Sequence, residues 1–352
     1  FFSDFISSEE MRALQQIPAD YLNPLLANLR EMRIAMFTAD CWRSFFIILI
    51  GSAFLMAFIY RKLNAKAMVG LICVLCLVDM WQIDKRYLND GMFVEKSVRE
   101  NPIQMTATDK QILQDKTECG NYRVLNFASN TFSENETSYF HKSLGGYHPA
   151  KLRRYQEMIE RYIQPQMQKA MTAIVEAGGD MTKVNGDSIY PVISMLNAKY
   201  FVMPLNGGQT VPIMNPYAYG VAWFVDKVSF VDNANQEMDL MAKIDLRHEA
   251  VADKKFARQI GNATKQDGNS LVTITSYQPN ELTYDVNSDK GGVVVFSEVY
   301  YPGWTATVDG QPVEMGRVNY ILRAINVKPG KHKVVLTFKP ATVTTTETIA
   351  SS

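Results

Sequence analysis

The chain has 352 residues, a length for two or three domains rather than one. Lys and Arg number 36 and so do Asp and Glu, so the net charge is zero, which argues against a nucleic-acid binder with a basic footprint and against a disordered acidic chain. Four cysteines exclude a disulfide scaffold, while 47% hydrophobic residues are enough for a real core.

Residues 1–41 contain an amphipathic stretch in which Leu22, Leu25, Leu26, Leu29, Met32 and Met36 recur at helical spacing. It is expected to lie on the outer membrane surface or against further helices. Residues 42–83 hold two apolar segments. Ser44–Tyr60 carries no charge and spans roughly 26 Å as a helix, close to a hydrocarbon core of about 30 Å. Trp42 and Tyr60 flank it as an aromatic belt would. The second runs over Ala67–Val78 and on to Met80, Trp81 and Ile83, interrupted by Asp79. The missing polar stripe favours a membrane hairpin over a buried hairpin of a soluble protein. The link between them holds Arg61, Lys62 and Lys66, so the positive-inside rule places it in the cytoplasm and everything from Asp84 onward outside. Cys73 and Cys76 have C-x-x-C spacing but sit in an apolar helix without a second pair, and read as membrane packing. Cys41 and Cys119 are single and far apart, and a bridge between them outside the cell is weakly supported.

Residues 84–265 read as α+β. Thr106 to Asp109 forms a capping box, and Tyr122–Phe127 a strand. A polar loop follows over Ser129–Gly146. A long helix is expected from Pro149 to about Ala177, kinked at Pro165 and ended by Gly178-Gly179. Strands are expected at Ala198–Met203 and Ala222–Phe230, with helical pieces near Ile193, Glu237 and Asp245. From residue 266 the pattern becomes seven short strands: Leu271–Ser276, Glu281–Asn287, Gly292–Val299, Trp304–Val308, Gln311–Met315, Tyr320–Val327 and Lys333–Phe338. Asp309-Gly310 marks a hairpin among them. A β-sandwich over 266–341 with a tail at 342–352 is the expectation. The fold class is thus α+β with two transmembrane helices: a mixed α/β extracytoplasmic domain followed by a C-terminal all-β sandwich.

The C-terminal block carries a resemblance. Phe296-Ser297-Glu298-Val299-Tyr300-Tyr301-Pro302-Gly303-Trp304 precedes Asp309-Gly310, then Asn319-Tyr320-Ile321-Leu322-Arg323-Ala324, then Pro329-Gly330-Lys331-His332. Upstream lie Ser143-Leu144-Gly145-Gly146-Tyr147-His148, Lys151-Leu152-Arg153-Arg154-Tyr155, Met195-Leu196-Asn197-Ala198-Lys199-Tyr200 and Ala222-Trp223-Phe224-Val225. In order and spacing these resemble the bacterial membrane protein family YfhO over essentially the whole chain. The resemblance implies a polytopic protein of the cytoplasmic membrane with a large outward-facing C-terminal region. Its founding branch resembles glycosyltransferases of the GT-C type, which take a sugar from a polyprenyl-phosphate carrier and transfer it to an envelope acceptor. The family's amino-terminal helices and the outer loop bearing the catalytic acid have no counterpart here, so the chain reads as a C-terminal fragment with its catalytic residues elsewhere, inactive alone. Implied partners are membrane lipid, a lipid-linked sugar and an envelope glycan, with no nucleic acid. The rival reading is a non-enzymatic envelope protein, either carbohydrate-binding or a permease-like scaffold.

Three groups could carry chemistry. Asp79, about one turn inside the outer boundary, either pairs with Arg43 to fix helix register or faces further helices and a carrier or acceptor site. In the segment 143–154, Gly145 and Gly146 would admit close backbone approach and Tyr147 would stack on a sugar. His148, Lys151, Arg153 and Arg154 would hold an anion such as the carrier phosphate, or else form a solvated helix face with Glu157. Tyr300, Tyr301 and Trp304 would form an aromatic platform for carbohydrate or seal the end of the sandwich. With His248-Glu249 lacking a second His and four His in all, no metal site is expected.

Overall fold

The structure, a computed structural model, describes residues 5–14, 18–266, 268–340 and 346. The chain divides into two compact units, Phe1–Pro102 and Ile103–Ser352.

The first unit contains α1 (Ser8–Ala13), α2 (Ala19–Ile59), α3 (Ala65–Tyr87) and α4 (Lys96–Glu100). α2 has 41 residues and so is about 60 Å long, twice the thickness of a hydrocarbon core. The amphipathic stretch and the first apolar segment are therefore one helix, where the sequence reading put a boundary at 41/42. Pro24 lies in its first two turns, and no Gly or Pro follows until Gly51, so nothing interrupts the hydrogen-bond ladder across that boundary. A helix continuous with a membrane span cannot also lie flat on the surface. Segment 5–14 folds back on α2: Glu10, from the capping box of Ser7, accepts from Arg33 at 2.6 and 3.1 Å. α2 and α3 form a hairpin, and Asn64 caps α3 by accepting from Ala67 N at 2.8 Å. Both helices are long and apolar enough to cross a membrane. Ile48, Leu77 and Trp81 stand about two-thirds exposed on them, an apolar surface suited to lipid rather than water.

The second unit has helices α5 (Ala107–Ile112), α6 (Glu136–Phe140), α7 (Arg153–Met158), α8 (Gln164–Glu176), α9 (Gly186–Ile189), α10 (Pro191–Met195), α11 (Ala234–Met241) and α12 (Ala257–Ile260). Its strands are β1 (Arg123–Asn126), β2 (Lys142–Ser143), β3 (Ala198–Pro204), β4 (Thr210–Met214), β5 (Ala222–Val225), β6 (Lys227–Val231), β7 (Glu249–Asp253) and β8 (Leu271–Gln278). Then come β9 (Glu281–Ser288), β10 (Gly292–Val299), β11 (Trp304–Val308), β12 (Gln311–Val313), β13 (Gly316–Val318), β14 (Leu322–Val327) and β15 (Gly330–Phe338). Among the described residues four sheets result: a mixed one ordered β2-β1-β3-β4, antiparallel ones ordered β13-β14-β10-β5 and β12-β11-β15-β9-β8, and a parallel pair β6-β7.

Several local expectations change. The long helix starts at Arg153, not Pro149, and passes through a π-helical turn at Ile159–Ile163 before α8. Pro165 has no N–H to offer residue 161, and the wider turn absorbs that loss. The strand expected over 222–230 is two strands in different sheets, separated at Asp226. No helix forms at Asp245, which lies in a turn after α11. The strand expected at 311–315 ends at Val313, and β13 follows it as an eighth C-terminal strand. The strand expected from Tyr320 starts at Leu322, because Asn319 and Tyr320 take left-handed φ of 48° and 66°.

β10 explains why residues 103–352 form one unit and why 265/266 falls inside it. Val294 and Phe296 pack with Tyr284, Leu282, Val334 and Leu336 of the neighbouring five-stranded sheet. Val293 and Val295 join the other core, with Ile163 and Ile174 of the long helix and Phe201 of β3. Both faces of the strand are buried, which is what a run of four apolar residues, Val293 to Phe296 after Gly292, permits and an alternating strand would not.

Candidate functional site

In the hairpin, Arg43 Nε lies 3.3 Å from Asp79 Oδ1, the ion pair that the antiparallel geometry led one to expect. The pair belongs to a larger chain of charge. Arg43 also faces Asp40 at 3.4 Å, and Asp40 accepts two hydrogen bonds from Arg86 at 2.6 and 2.9 Å. The sequence reading gives no pairing of Asp40 with Arg86. Their only signal was helical phase, three residues before Arg43 and seven after Asp79. Two acids and two arginines alternating across two helices neutralise one another without water, which lowers the cost of each in lipid.

The segment 143–154 is bound to its own protein. Gly145 N donates to Ser143 Oγ (3.0 Å), Gly146 N to Thr131 O (2.7 Å) and Tyr147 N to Glu134 O (2.9 Å). A Cβ at Gly145 would stand 1.9 Å from Thr131 O, so that glycine permits the crossing of two chain segments. The N–H groups expected to meet a ligand are thus already used. His148 Nδ1 accepts from Ala150 N at 3.1 Å, and the Lys151 amine lies 5.8 Å from the Phe132 ring. Arg153 is exposed and pairs with Glu157 at 3.0 Å, on a solvated helix face. Arg154 stacks 4.4 Å from the Tyr320 ring, whose hydroxyl donates to Glu157. Tyr147 stays exposed.

The three aromatic residues do not present one face. Tyr300 packs edge-on against Phe256 at 5.6 Å, while Tyr301 and Trp304 both pack on Phe338, at 6.2 and 5.4 Å. Arg323 covers the Trp304 ring at 3.9 Å and donates to Val299 O at 2.9 Å. Other motif residues are spent in the same way. Ser297 donates to Met195 O at 2.8 Å, Asn319 accepts from Val251 N at 2.9 Å, and Tyr155 donates to Leu144 O at 2.5 Å.

Two of the clefts on this unit are bordered by charged and aromatic side chains together. One, of about 500 Å³, is bordered by Asp115, Cys119, Tyr122, Tyr139, His141 and Lys142. Although burial opposes it, hydrogen bonds from Lys199, from Thr117 and from Tyr200 hold the Asp115 carboxyl well below the usual carboxylate range. Lys142 donates to Asn121 Oδ1 at 2.9 Å, and burial pushes its amine down to about 8. The other, of about 400 Å³, lies where β5 and β8, the edge strands of the two antiparallel sheets, come together. Glu118, Tyr219, Trp223, Asp226, Arg247 and His248 border it. Trp223 is half-buried, meets Tyr219 edge-on at 5.1 Å, and its Nε1 has no hydrogen-bond partner. Arg247 stacks on Tyr219 at 4.3 Å and donates to Tyr217 O at 2.8 Å and Asp187 at 3.1 Å. Asp226 accepts from Gln266 N at 2.8 Å and faces His248 Nδ1 at 3.1 Å. Glu118 carries a left-handed φ of 53°, followed by Cys119 at 54°. Such conformations cost about 1–2 kcal/mol per residue and collect at functional sites. These residues are scattered over 130 positions, so sequence offered only the A-W-F-V motif and the His248-Glu249 pair as signals.

Among the described residues no group of three or more His, Cys, Asp and Glu is placed to hold a metal. The four cysteines are free thiols. No curated protein and no solved structure matches the chain. Residues 191–350 match the sequence model of a family described as bacterial membrane protein YfhO. That stretch holds the Met195, Trp223, Ser297 and Asn319 motifs whose contacts are described above, and the two apolar helices agree with a membrane protein. Over residues 191–350, a little under half of its length, the chain is thus similar to the YfhO family of bacterial membrane proteins.

Proposed function

We propose that the chain is the C-terminal part of a GT-C-type membrane glycosyltransferase, one that transfers a sugar from a polyprenyl-phosphate carrier to an envelope acceptor. The hairpin spans the cytoplasmic membrane with its 61–66 link inside, and residues 84–352 lie outside. The second unit positions the acceptor, while the catalytic acid comes from a segment beyond these residues. What supports the reading is the use made of the motif residues. Arg154, Ser297, Asn319, Tyr320 and Arg323 are engaged in internal hydrogen bonds and stacking, which builds a rigid platform rather than an acid–base centre.

The same use of the motifs also favours a second reading, a non-enzymatic envelope scaffold. Deleting the parent gene and comparing the sugar composition of purified envelope polymers by mass spectrometry separates the two. Loss of one sugar, restored by the intact gene, is the expected result. An unchanged profile across several growth conditions refutes transfer and leaves the scaffold. Orientation has its own test, because Cys119 is an exposed free thiol outside the hairpin. A membrane-impermeant maleimide added to intact cells labels it only if residues 84–352 are extracytoplasmic.

A further inference from the structure

We infer that the cleft bordered by Glu118, Trp223, Asp226 and His248 binds a neutral sugar unit of a glycan. This rests on the glycan-handling reading above and gives it a site. Four observations converge. The cleft holds about 400 Å³, within the range of small-molecule pockets. It is bordered by one half-buried indole, Trp223, whose exposed part can pack on the C–H side of a pyranose and whose Nε1 is buried without a protein acceptor. It offers the Glu118 carboxylate as an acceptor for sugar hydroxyls, beside Asp226, whose oxygens already meet Gln266 N and His248 Nδ1. Its cation, Arg247, is already committed to Tyr217 O, Asp187 and the Tyr219 ring.

That charge balance decides the ligand class. A phosphate or uronate would meet two carboxylates and an arginine already paired with an acid, so the anionic carrier is disfavoured and a neutral acceptor sugar fits. The backbone also points to a built cleft. Glu118 holds a left-handed conformation, and a side chain at Gly220, itself at φ +83°, would stand 3.0 Å from Glu118 Oε1. The site further lies between two edge strands, where among the described residues no neighbouring strand covers it.

The test uses the full chain in lipid nanodiscs, free of glycosidic detergent. Saturation-transfer NMR is run with neutral oligosaccharides of glucose, galactose and N-acetylglucosamine, and with glycerol phosphate as the anionic probe. The expected result is saturable binding of at least one neutral oligosaccharide, weakened tenfold or more by Trp223→Ala and by Glu118→Gln, with far-ultraviolet circular dichroism unchanged. If Trp223→Ala fails to fold, Trp223→Phe and Glu118→Gln decide. Binding of glycerol phosphate alone, binding of none of the neutral probes, or binding indifferent to these substitutions overturns the inference. Loss of an envelope sugar on gene deletion together with absent binding sinks this site but not the transferase reading. Binding with an unchanged envelope does the reverse.

Discussion

Glu237 lies on α11 with no exposed surface, and its two carboxylate oxygens accept from Arg317 Nη2 at 2.9 Å and Tyr320 N at 2.8 Å. Arg317 is itself only 6% exposed and lies against the Phe256 ring at 5.1 Å. Glu237→Ala would leave that guanidinium buried opposite a cavity and strip the Tyr320 N–H of its acceptor. Removing one partner of a buried pair costs about 3–5 kcal/mol. In a unit of this size each kcal/mol lowers Tm by about 2–4 °C, so a fall of roughly 6–20 °C is expected. Glu237→Leu with Arg317→Met removes both charges at similar volume and should lie within about 2 kcal/mol of the parent chain, despite losing the Tyr320 bond. The assay is thermal unfolding followed by tryptophan fluorescence in a Trp42→Phe/Trp81→Phe background, which leaves Trp223 and Trp304 as reporters of this unit. If the double variant costs the sum of the two single ones, or Glu237→Ala costs less than about 1 kcal/mol, the buried-pair reasoning is wrong.

Gly145→Ala brings a methyl within 1.9 Å of Thr131 O, a backbone atom that cannot step aside alone, so a loss of about 3 kcal/mol or more is expected by chemical denaturation. A cost under about 0.5 kcal/mol would mean that the two segments do not cross there. In the hairpin, Arg43→Asp or Asp79→Arg alone should lower thermal stability in nanodiscs, and the two together should recover most of the loss. A swap no better than either single variant ends the pairing argument. His332 Nδ1 faces Asp309 Oδ2 at 2.7 Å, and this bond raises the imidazole pKa. Its contribution is therefore complete below the unfolded pKa of about 6.5 and lost as pH rises through the higher folded value. His332→Gln should flatten stability between those values by about 1 kcal/mol or less, and an unchanged pH profile would show that the pair is inert.

Much of the architecture was legible from local chemistry. The two apolar runs between 44 and 83, the second interrupted only by Asp79, pointed to two spans, because helices apolar all round suit lipid better than the surface of a soluble domain. The Thr106–Asp109 box and the Asp309-Gly310 turn named their own structures, being short-range motifs whose partners lie within four residues. Arg43 and Asp79 could be paired in advance, since a hairpin of two helices sets depth by counting residues. What sequence could not show was pairing at long range. Nothing local tells that β5 leaves the middle region to edge the sheet of β10, that β10 is buried on both faces, or that Gly145 is small because Thr131 crosses it. The cleft of Glu118, Trp223 and His248 is a further case, since it exists only where two sheet edges meet. Composition and periodicity determined the membrane hairpin and most of the strands, because these depend on each residue's own solvation and its near neighbours. The tertiary structure alone decided which motif residues hold the unit together and which border open space, because that depends on partners more than a hundred positions away.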